Sequence, residues 1–472
     1  MTFEFNTALD LIGKLDEAFP GTQSLIVGGA VRDYFLNVPA HDVDIATNVP
    51  FEQLALYFEL QDITKNTVNA QPVSIIVHCG VAFEIAQFRT DSIGTDRKSN
   101  VATVVSTFEE DSARRDITIN AIGLDRNQKI IDPQGGRQDL IRELVTCVGD
   151  PNIRFQEDAT RILRVLRFAA KLNFAIHPDT LDAVIRNRGL LTDRERISPE
   201  SIAKEIFKAA HDGVVFARFI RLLDLMGISS LILREWIDLN GFTHDPIHHP
   251  EGGSTVQGHI LECLVQGGFT NDPVTNIGIF CHDLGKAVTR GVKSNGQSNY
   301  HGHEGAGVPI VEALFDRLRF NDLSSGDKED ILFATEKHML IHNLRELSTR
   351  TIARLVLAKG WNVLKQVAFA DEASRGPDLF NADEFTQRIA WAEEKVRNIA
   401  KNRDELRLRV KEHVDGNKLL EWFPELQSNR KLLAPLLEFL AEFILECIDL
   451  GEIPSQDDIR RVASNELFYN LN

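Results

Sequence analysis

The feature that most constrains this chain is a change of pattern at Pro151. Before that residue, short β-rich runs alternate with helical ones. After it, apolar residues recur three and four positions apart, the period of an amphipathic helix, as in Arg161–Leu172. A chain of 472 residues also exceeds the roughly 250–300 residues at which single cores stop growing. We therefore expect an α+β fold, with an N-terminal mixed sheet and helices followed by a mostly helical remainder in further domains.

Composition narrows the class of protein. The formal net charge is −17, which counts against bulk, non-specific nucleic-acid binding, although a basic strip on an acidic body remains compatible with it. No apolar run reaches the roughly 18–20 residues that span a bilayer, and the N-terminus lacks the pattern of a signal peptide. The five cysteines are scattered without a CxxC pair, which predicts small buried hydrophobes rather than disulfides. We expect a cytoplasmic protein with no membrane partner.

A glycine pair and two aspartates form the first chemical motif. Gly28 and Gly29 end the short strand SLIVGG, and Asp42 and Asp44 follow in the β-rich run HDVDIAT. Residues i and i+2 of a strand share a face, so the two carboxylates project side by side, and Mg²⁺ prefers oxygen ligands. Such a pair can hold two metal ions for phosphoryl transfer, and the glycines let the backbone approach a phosphate. Glu84, on a separate predicted strand, is a third candidate carboxylate.

Histidines and aspartates form a second motif in the helical middle. His259, the dipeptide His282-Asp283 and the later Asp371 together can bind one divalent metal. Such a metal lowers the pKa of its bound water and so creates a nucleophile. His303 and His338 fit the same pattern and are further candidate ligands.

Five motifs in a fixed order give the N-terminal half a family resemblance. LIVGGAVRDYFL, HDVDIAT, RRDITINAIGLD, IIDPQGGRQDL and GDPNIRFQEDATRILRVLRFAAKLNF lie between about residues 24 and 230. They resemble the class II tRNA nucleotidyltransferase and bacterial poly(A) polymerase family. The resemblance implies a polymerase-β-like nucleotidyltransferase head that uses Mg²⁺.

The same resemblance implies roles for single residues. Gly29 and Arg32 would contact the incoming nucleotide or hold its turn, and Asp42, Asp44 and Glu84 would form the catalytic carboxylate set. Asp158 and Arg161 would read the base, since a carboxylate only accepts hydrogen bonds and a guanidinium only donates them. The remaining nucleotide-binding candidates, with Gly28, are Arg115, Asp116, Asn120, Arg164 and Arg167.

The second motif resembles the HD phosphohydrolase domain, on the order H…HD…D and the match HDLGK. A nucleotidyltransferase head followed by such a domain is similar to bacterial CCA-adding enzymes with an HD module. That group implies template-independent addition of C, C and A to tRNA 3′ ends from CTP and ATP. It also implies phosphatase or 2′,3′-cyclic phosphodiesterase activity at the HD site with a divalent transition metal such as Ni²⁺ or Mn²⁺.

We expect four domains: a nucleotidyltransferase head at 1–145, a helical nucleotide-recognition neck at 146–240, an HD domain at 241–380 and an RNA-binding tail at 381–472. Acidic stretches in the tail favour tRNA maturation over polyadenylation. A poly(A) polymerase or a partial CC- or A-adding enzyme remains an alternative, as does an HD phosphohydrolase whose head only binds nucleotide. Both a monomer and a homodimer remain open.

Overall fold

The computed structural model describes residues 2–40, 42–58, 67–68, 71–92, 101–243, 255–267, 271–292, 298–401, 410, 413–427, 429–449 and 454–471. Much of the polar break predicted at Gly241–Gly258 therefore lies outside the described residues, because 244–254 are not among them. No helix in the described part of the chain is both long enough and apolar enough to cross a membrane.

The N-terminal region is built on a mixed sheet of seven strands. In its described part, this region has nine strands, seven in the sheet and two in a separate pair: β1 (Ser24–Val27), β2 (Asp44–Thr47), β3 (Thr67–Val68), β4 (Gln71–His78), β5 (Val81–Gln87), β6 (Arg89–Ser92), β7 (Val101–Val104), β8 (Gly123–Leu124) and β9 (Ile130–Ile131). The sheet order is β3-β4-β5-β2-β1-β8-β9, and β6 and β7 pair separately. Strands β2 and β5 run parallel and the other pairs of the sheet run antiparallel. The hairpin predicted at Gly80 is confirmed as β4–β5.

Five helices accompany this sheet: α1 (Phe3–Ala18), α2 (Gly29–Phe35), α3 (Phe51–Tyr57), α4 (Phe108–Ala113) and α5 (Gly136–Ile141). Helix α1 begins where the Thr2 hydroxyl accepts a hydrogen bond from the Phe5 amide. Its buried stripe of Phe5, Ala8, Leu11, Ile12 and Leu15 recurs at three- and four-residue spacing. One face of α1 therefore joins the sheet in the core, while Asp10, Lys14 and Glu17 are exposed on the other face.

The remainder of the chain is helical. Its helices are α6 (Pro151–Glu157), α7 (Thr160–Leu172), α8 (Pro178–Asn187), α9 (Pro199–Ala209), α10 (Gly213–Leu225), α11 (Ser229–Ile232), α12 (Arg234–Ile237), α13 (Val256–Gly267), α14 (Pro273–Cys281), α15 (Lys286–Thr289), α16 (His303–Leu318), α17 (Ser325–His342), α18 (Thr349–Val356), α19 (Trp361–Ala373), α20 (Ala382–Lys401), α21 (Gly416–Trp422), α22 (Leu433–Asp449) and α23 (Gln456–Leu471). Short ladders β10 (Leu144–Val145) with β11 (Ala175–Ile176), and β12 (Gly291–Val292) with β13 (Ser298–Asn299), interrupt them. The predicted α+β class and the switch to helix at Pro151 are confirmed.

Three hydrophobic cores form among the described residues, and the smallest packs Leu25, Val27, Ala46, Phe88 and Phe108 together. The main core runs without a break in packing from Phe5 to Val396, and a separate core joins Val410 to Leu467. Helix α20, just beyond the boundary expected at 381, adds Phe385 and Ile389 to the main core. The four-domain division stays a prediction.

Candidate active sites

The aspartate pair lies at the start of β2. Asp44 begins β2, which pairs with β1 on one side and with β5 on the other. Val43 and Ile45 are buried, whereas Asp42, Asp44 and Glu84 are exposed. The sequence placed both aspartates within a strand, but Asp42 lies in the bend before β2. The register Ile45↔Ile85 nevertheless sets Glu84 beside Asp44 on the neighbouring strand.

The pKa of Asp44 reflects the neighbouring carboxylates of Asp42 and Glu84. Although Asp44 as a residue is exposed, its carboxylate is partly desolvated by the surrounding protein. This desolvation, Asp42 and Glu84, in that order, raise the pKa of Asp44 to about 6, against the opposing effect of Arg115. Like charges that raise one another's pKa are relieved when a cation sits among them. The all-oxygen donor set fits Mg²⁺, the metal expected from the sequence. These oxygens are less tightly gathered than the donors of the histidine cluster described below.

Gly28 keeps the space above Asp44 open. Its φ is +74°, and a Cβ built there would lie 3.7 Å from both Asp44 Oδ2 and Arg115 Nη1. A side chain at this position would therefore be strained and would fill the gap between the carboxylate and the guanidinium. The glycine turn thus leaves room for a ligand group between opposite charges.

Asp111, which the sequence motifs did not single out, fixes the arginines of this cleft. Its carboxylate is buried and accepts from Arg114 Nη2 at 2.7 Å, from Arg115 Nη2 at 3.0 Å and from the Arg89 amide at 3.2 Å. Although burial opposes it, Arg115 and Arg114 hold the pKa of Asp111 below its usual range. Arg115 also donates to the Asn120 carbonyl at 3.2 Å, so its guanidinium is held in place beside Asp44.

Arg32 and Asn120 are partners in the structure. Arg32 is 3% exposed, and it donates to Asn120 Oδ1 at 2.7 Å and to Asp33 Oδ1 at 2.8 Å. Of the two roles expected for Arg32, this geometry favours holding the glycine turn, because a Cβ at Gly29 would lie 3.4 Å from its Nη2.

The base-reading candidates sit where α6 gives way to α7. Asp158 ends α6, and its Oδ1 accepts from the Thr160 amide at 2.9 Å. Arg161 donates to Glu157 Oε2 at 2.6 Å and to the Arg114 carbonyl at 2.9 Å. The guanidinium is therefore fixed at both ends, and α7 is tied directly to the arginine segment of the cleft.

The arginine series on α7 is not a solvated helix face. Arg164 pairs with Asp116 at 2.6 Å and Arg167 pairs with Glu205 at 2.6 Å. Both guanidinium groups, together with that of Arg32, lie 4.5–5.6 Å from the Phe168 ring centre. Asp116, expected to contact nucleotide, is 8% exposed and anchors Arg164.

The histidine motif converges on one buried centre. Helices α13, α14, α16, α17 and α19 pack together and bring in His259, His282, Asp283, His303, His338 and Asp371, each at most 6% exposed. His259 Nε2 lies 3.1 Å from Asp371 Oδ1, and His303 Nε2 lies 3.1 Å from Asp283 Oδ1 and 3.2 Å from His338 Nε2.

Backbone carbonyls orient three of these imidazoles. Nδ1 of His282, His303 and His338 lies 2.7–2.8 Å from the carbonyl three residues earlier in each case. If Nδ1 carries the proton that this contact requires, Nε2 presents its lone pair to the centre. Burial lowers the pKa of His338 to about 3, which keeps it neutral.

The two aspartates of this centre are ionised and braced. Burial alone would raise their pKa values, but Lys286 and His282 hold the pKa of Asp283 well below its usual range, and His259 and His342 do so for Asp371. His282 Nε2 is buried and makes no hydrogen bond within the described part of the chain. Imidazole nitrogens and two carboxylates gathered at one buried centre fit a divalent transition metal.

The mixed sheet with its carboxylates forms a polymerase-β-like head, and a helix-rich remainder follows it. In agreement, residues 24–146 match the family model of the poly A polymerase head domain. A CCA-adding enzyme of Geobacillus stearothermophilus is 38% identical over 230 residues, which are 48% of this chain and 54% of that protein. The chain thus spans about half the length of the curated relatives it matches, and the resemblance read from the motifs is confirmed.

Solved structures of other proteins resemble this fold over most of the chain. The Bacillus stearothermophilus CCA-adding enzyme in complex with CTP aligns over 100% of this chain and 99% of its own, with a TM-score of 0.62 and 24% identity. A tRNA nucleotidyltransferase complexed with a primer tRNA and an incoming ATP analogue aligns over 82% and 99%, with a TM-score of 0.53 and 20% identity. At these identities the likeness establishes the fold.

Proposed function

We propose that this protein adds C, C and A to the 3′ ends of tRNA from CTP and ATP without a nucleic-acid template. The observation that carries the proposal is the bond from Arg161 to the Arg114 carbonyl. It joins the pair that would read a base, Asp158 and Arg161, to the cleft where Asp42, Asp44 and Glu84 gather. Base choice and phosphoryl transfer would therefore take place in one rigid unit.

The base-reading pair suits C and A by its hydrogen-bonding pattern. The Asp158 carboxylate accepts hydrogen bonds, and both C and A present an amino group on their pairing edge. U and G present a carbonyl oxygen at the equivalent position, which the carboxylate would repel. Arg161 would donate to the ring nitrogen beside that amino group, and Glu157 holds it in the required orientation.

The cleft would serve the phosphates. Mg²⁺ bound to the carboxylates would stabilise the attacking and leaving oxygens of the transfer. Arg115 would bind the triphosphate, since a guanidinium is permanently charged and matches phosphate oxygens in pairs. Asp111 positions Arg115 for this contact, and Gly28 leaves the space that the nucleotide enters.

Names of the relatives support the same substrates. The curated relative is a CCA-adding enzyme, and the solved structures hold CTP in one case and a primer tRNA in the other. We extend these substrates to this chain, and we propose that it acts in the cytoplasm.

A pair of variants tests this activity. Asp44→Ala should abolish incorporation of labelled CTP into tRNA lacking its CCA end, because the metal set would lose its central carboxylate. Glu52→Ala, an exposed acidic residue in the first turn of α3, is the matched control and should retain activity. Undiminished incorporation by Asp44→Ala would remove the cleft from the mechanism.

We also propose that the histidine centre is a separate metal-dependent phosphohydrolase, acting on phosphate monoesters or 2′,3′-cyclic phosphates. The observation that favours it is the convergence of fixed imidazole nitrogens on two ionised carboxylates. A divalent transition metal such as Ni²⁺ or Mn²⁺, when bound there, would supply an activated water. Lys286, whose ammonium lies 2.6 Å from Asp283 Oδ2, keeps this carboxylate ionised.

His303→Ala tests the second activity. Loss of one imidazole should weaken Ni²⁺ binding and cyclic phosphodiesterase activity at least about tenfold, while CCA addition persists. His301→Ala, two residues earlier and exposed, is the control and should change neither. If both variants retain full hydrolysis, the centre does not carry it; if wild-type protein shows none, the site is structural.

A further inference from the structure

A third group of metal-type donors lies where α1 meets the tip of the β4–β5 hairpin, the hairpin that also carries Glu84. His78 ends β4, Cys79 follows in the turn, and Asp10 projects from α1. Donor atoms of these three residues lie within 4.8 Å of one another. The prediction that all five cysteines are buried is wrong at this position, because Cys79 is exposed.

Three polar groups compete here for a single nitrogen. His78 Nε2 lies 2.7 Å from Asp10 Oδ2, 3.4 Å from the Lys14 ammonium and 3.7 Å from Cys79 Sγ. An imidazole nitrogen has one in-plane position, so it either donates one hydrogen bond or accepts one. If it donates to Asp10, it cannot accept from Lys14 or from the thiol. A cation in place of the proton would bond to the nitrogen, the carboxylate and the sulfur together.

The turn holds the thiol against this nitrogen. His78 pairs with Val81 across a two-residue loop, in which Cys79 has φ +49° and Gly80 has φ +82°. Such loops favour Asn-Gly, because both central residues need positive φ. A cysteine at the first position places a nitrogen and a sulfur donor on consecutive residues, which can chelate one ion.

We propose that Asp10, His78 and Cys79 bind a zinc-class divalent cation, with water in the fourth position. One carboxylate, one imidazole and one thiolate match the ligands and tetrahedral preference of Zn²⁺. Tetrahedral bonds of about 2.0–2.3 Å separate ligands by about 3.2–3.7 Å, so the nitrogen–sulfur distance already fits. Asp10, whose side chain is 54% exposed, retreats by about half an ångström on binding.

In the structure a lysine ammonium stands in for the cation. Lys14 Nζ lies 3.1 Å from Asp10 Oδ2 as well as close to His78. Its side chain is 50% exposed, so it is free to leave when the metal enters. The bound ion would link α1 to the β4–β5 hairpin, whose second strand carries Glu84.

Alkylation of Cys79, followed by peptide mapping, tests the site in the full-length protein. Zn²⁺ should slow labelling of this one thiol about tenfold when its concentration is tenfold above the dissociation constant. Mapping reads Cys79 alone, so zinc taken up by the histidine centre does not contribute.

Three variants separate a chelate from a simple thiol–zinc contact. His78→Gln and Asp10→Asn should each lose most of the protection, whereas Lys14→Ala should shift its midpoint to lower Zn²⁺ because the competing ammonium is gone. CCA addition in metal-defined buffer should be unchanged in all three. Absence of protection in the wild type would overturn the proposal. So would protection of Cys79 in His78→Gln and Asp10→Asn that equals that in the wild type.

Discussion

At the scale of single residues, the cleft around Asp44 depends on the buried carboxylate of Asp111. Asp111 joins Arg114, Arg115 and the backbone of Arg89 in one buried network. Removing its charge would leave Arg114 and Arg115 without their shared carboxylate, with bonds to the backbone carbonyls of Arg89 and Asn120 remaining. The position of Arg115 beside Asp44 is therefore a property of this network.

Asp111→Asn should lower unfolding stability by about 2–4 kcal/mol, because breaking a buried ion pair from one side leaves uncompensated charge. It should also lower kcat/KM for CTP incorporation at temperatures where the variant is still folded. Glu109→Gln changes an exposed carboxyl in the same helix and should do neither. Chemical denaturation with parallel kinetics makes the comparison; wild-type kcat/KM in folded Asp111→Asn would contradict the positioning role.

Asp44 should carry a stability penalty in the absence of metal. Its pKa is raised from 3.8 to about 6 in the folded chain, so the folded state binds the proton more tightly. Stability therefore falls as pH rises between these values, and the loss is complete above about pH 6. In chelator-treated buffer at pH 7.5, Asp44→Asn should melt at a higher temperature than the wild type, and the difference should vanish near pH 4.

Thermal melts with added Mg²⁺ complete this comparison. The ion should raise the melting temperature of the wild type more than that of Asp44→Asn, because binding to the folded state stabilises it. A wild type that melts higher than Asp44→Asn in metal-free buffer at pH 7.5 would show that the carboxylate cluster is not under strain.

Sequence motifs predict some of these site residues but not others. Asp42, Asp44 and the glycine turn could be predicted because strand periodicity and residue chemistry are local properties. Asp111 was not singled out, although Arg114 and Arg115 follow it at the three- and four-residue spacing of helix ion pairs. Its bond to the Arg89 amide of β6 and the approach of Arg115 to Asp44 arise only in the folded head. Likewise, the pairing of Arg164 with Asp116 arises only when α7 packs against the head.

At the scale of elements, the histidine centre requires a close approach between the segment that begins α15 and the start of α16. A Cβ on Gly285 would lie 2.0 Å from the His303 carbonyl and 2.6 Å from the Gly307 amide. No side chain fits there without moving α16, which carries His303 into the centre. The glycine of HDLGK is thus needed for helix packing beside the ligands.

Gly285→Ala should displace α16, weaken Ni²⁺ binding at least about tenfold and destabilise the protein by about 2–4 kcal/mol. Gly305→Ala lies in α16 itself, where a Cβ meets nothing within 4 Å, and should be neutral or slightly stabilising. Metal titration of both variants distinguishes them. Equal affinity in the two would mean that the helix contact does not position His303.

The helical pattern of this region was predictable, because its amphipathic period is strong. The contact between α15 and α16 was not, because it depends on how two helices cross. The polar segment before His259 could be read only as a break, and residues 244–254 within it lie outside those described.

At the scale of the whole molecule, the C-terminal helices do not share the main core. Residues Val410 to Leu467 form a core of their own. Among the contacts that link it to the rest, Arg350 lies 3.0 Å from Glu442 and its guanidinium sits 5.9 Å from the Phe439 ring centre. A junction with an exposed ion pair contributes little to stability, so the tail should fold separately from the two centres.

Truncation after Lys401 should therefore leave a folded protein that still adds CCA to a short acceptor hairpin. If the tail grips RNA, as the sequence predicts, the KM for full-length tRNA should rise about tenfold or more while kcat changes little. An unchanged KM would argue against an RNA-binding tail, and an unfolded product would show that the two cores are interdependent.

We propose above all that this chain adds a defined three-nucleotide end to tRNA, with protein side chains selecting each base. The most direct measurement offers tRNA lacking CCA to the purified protein with Mg²⁺ and all four nucleoside triphosphates, then sequences the 3′ ends. We expect the wild type to add C, C and A to the 3′ end and then stop, and we expect Asp44→Ala to add nothing. A run of A residues, a partial end, or no addition by the wild type would contradict it.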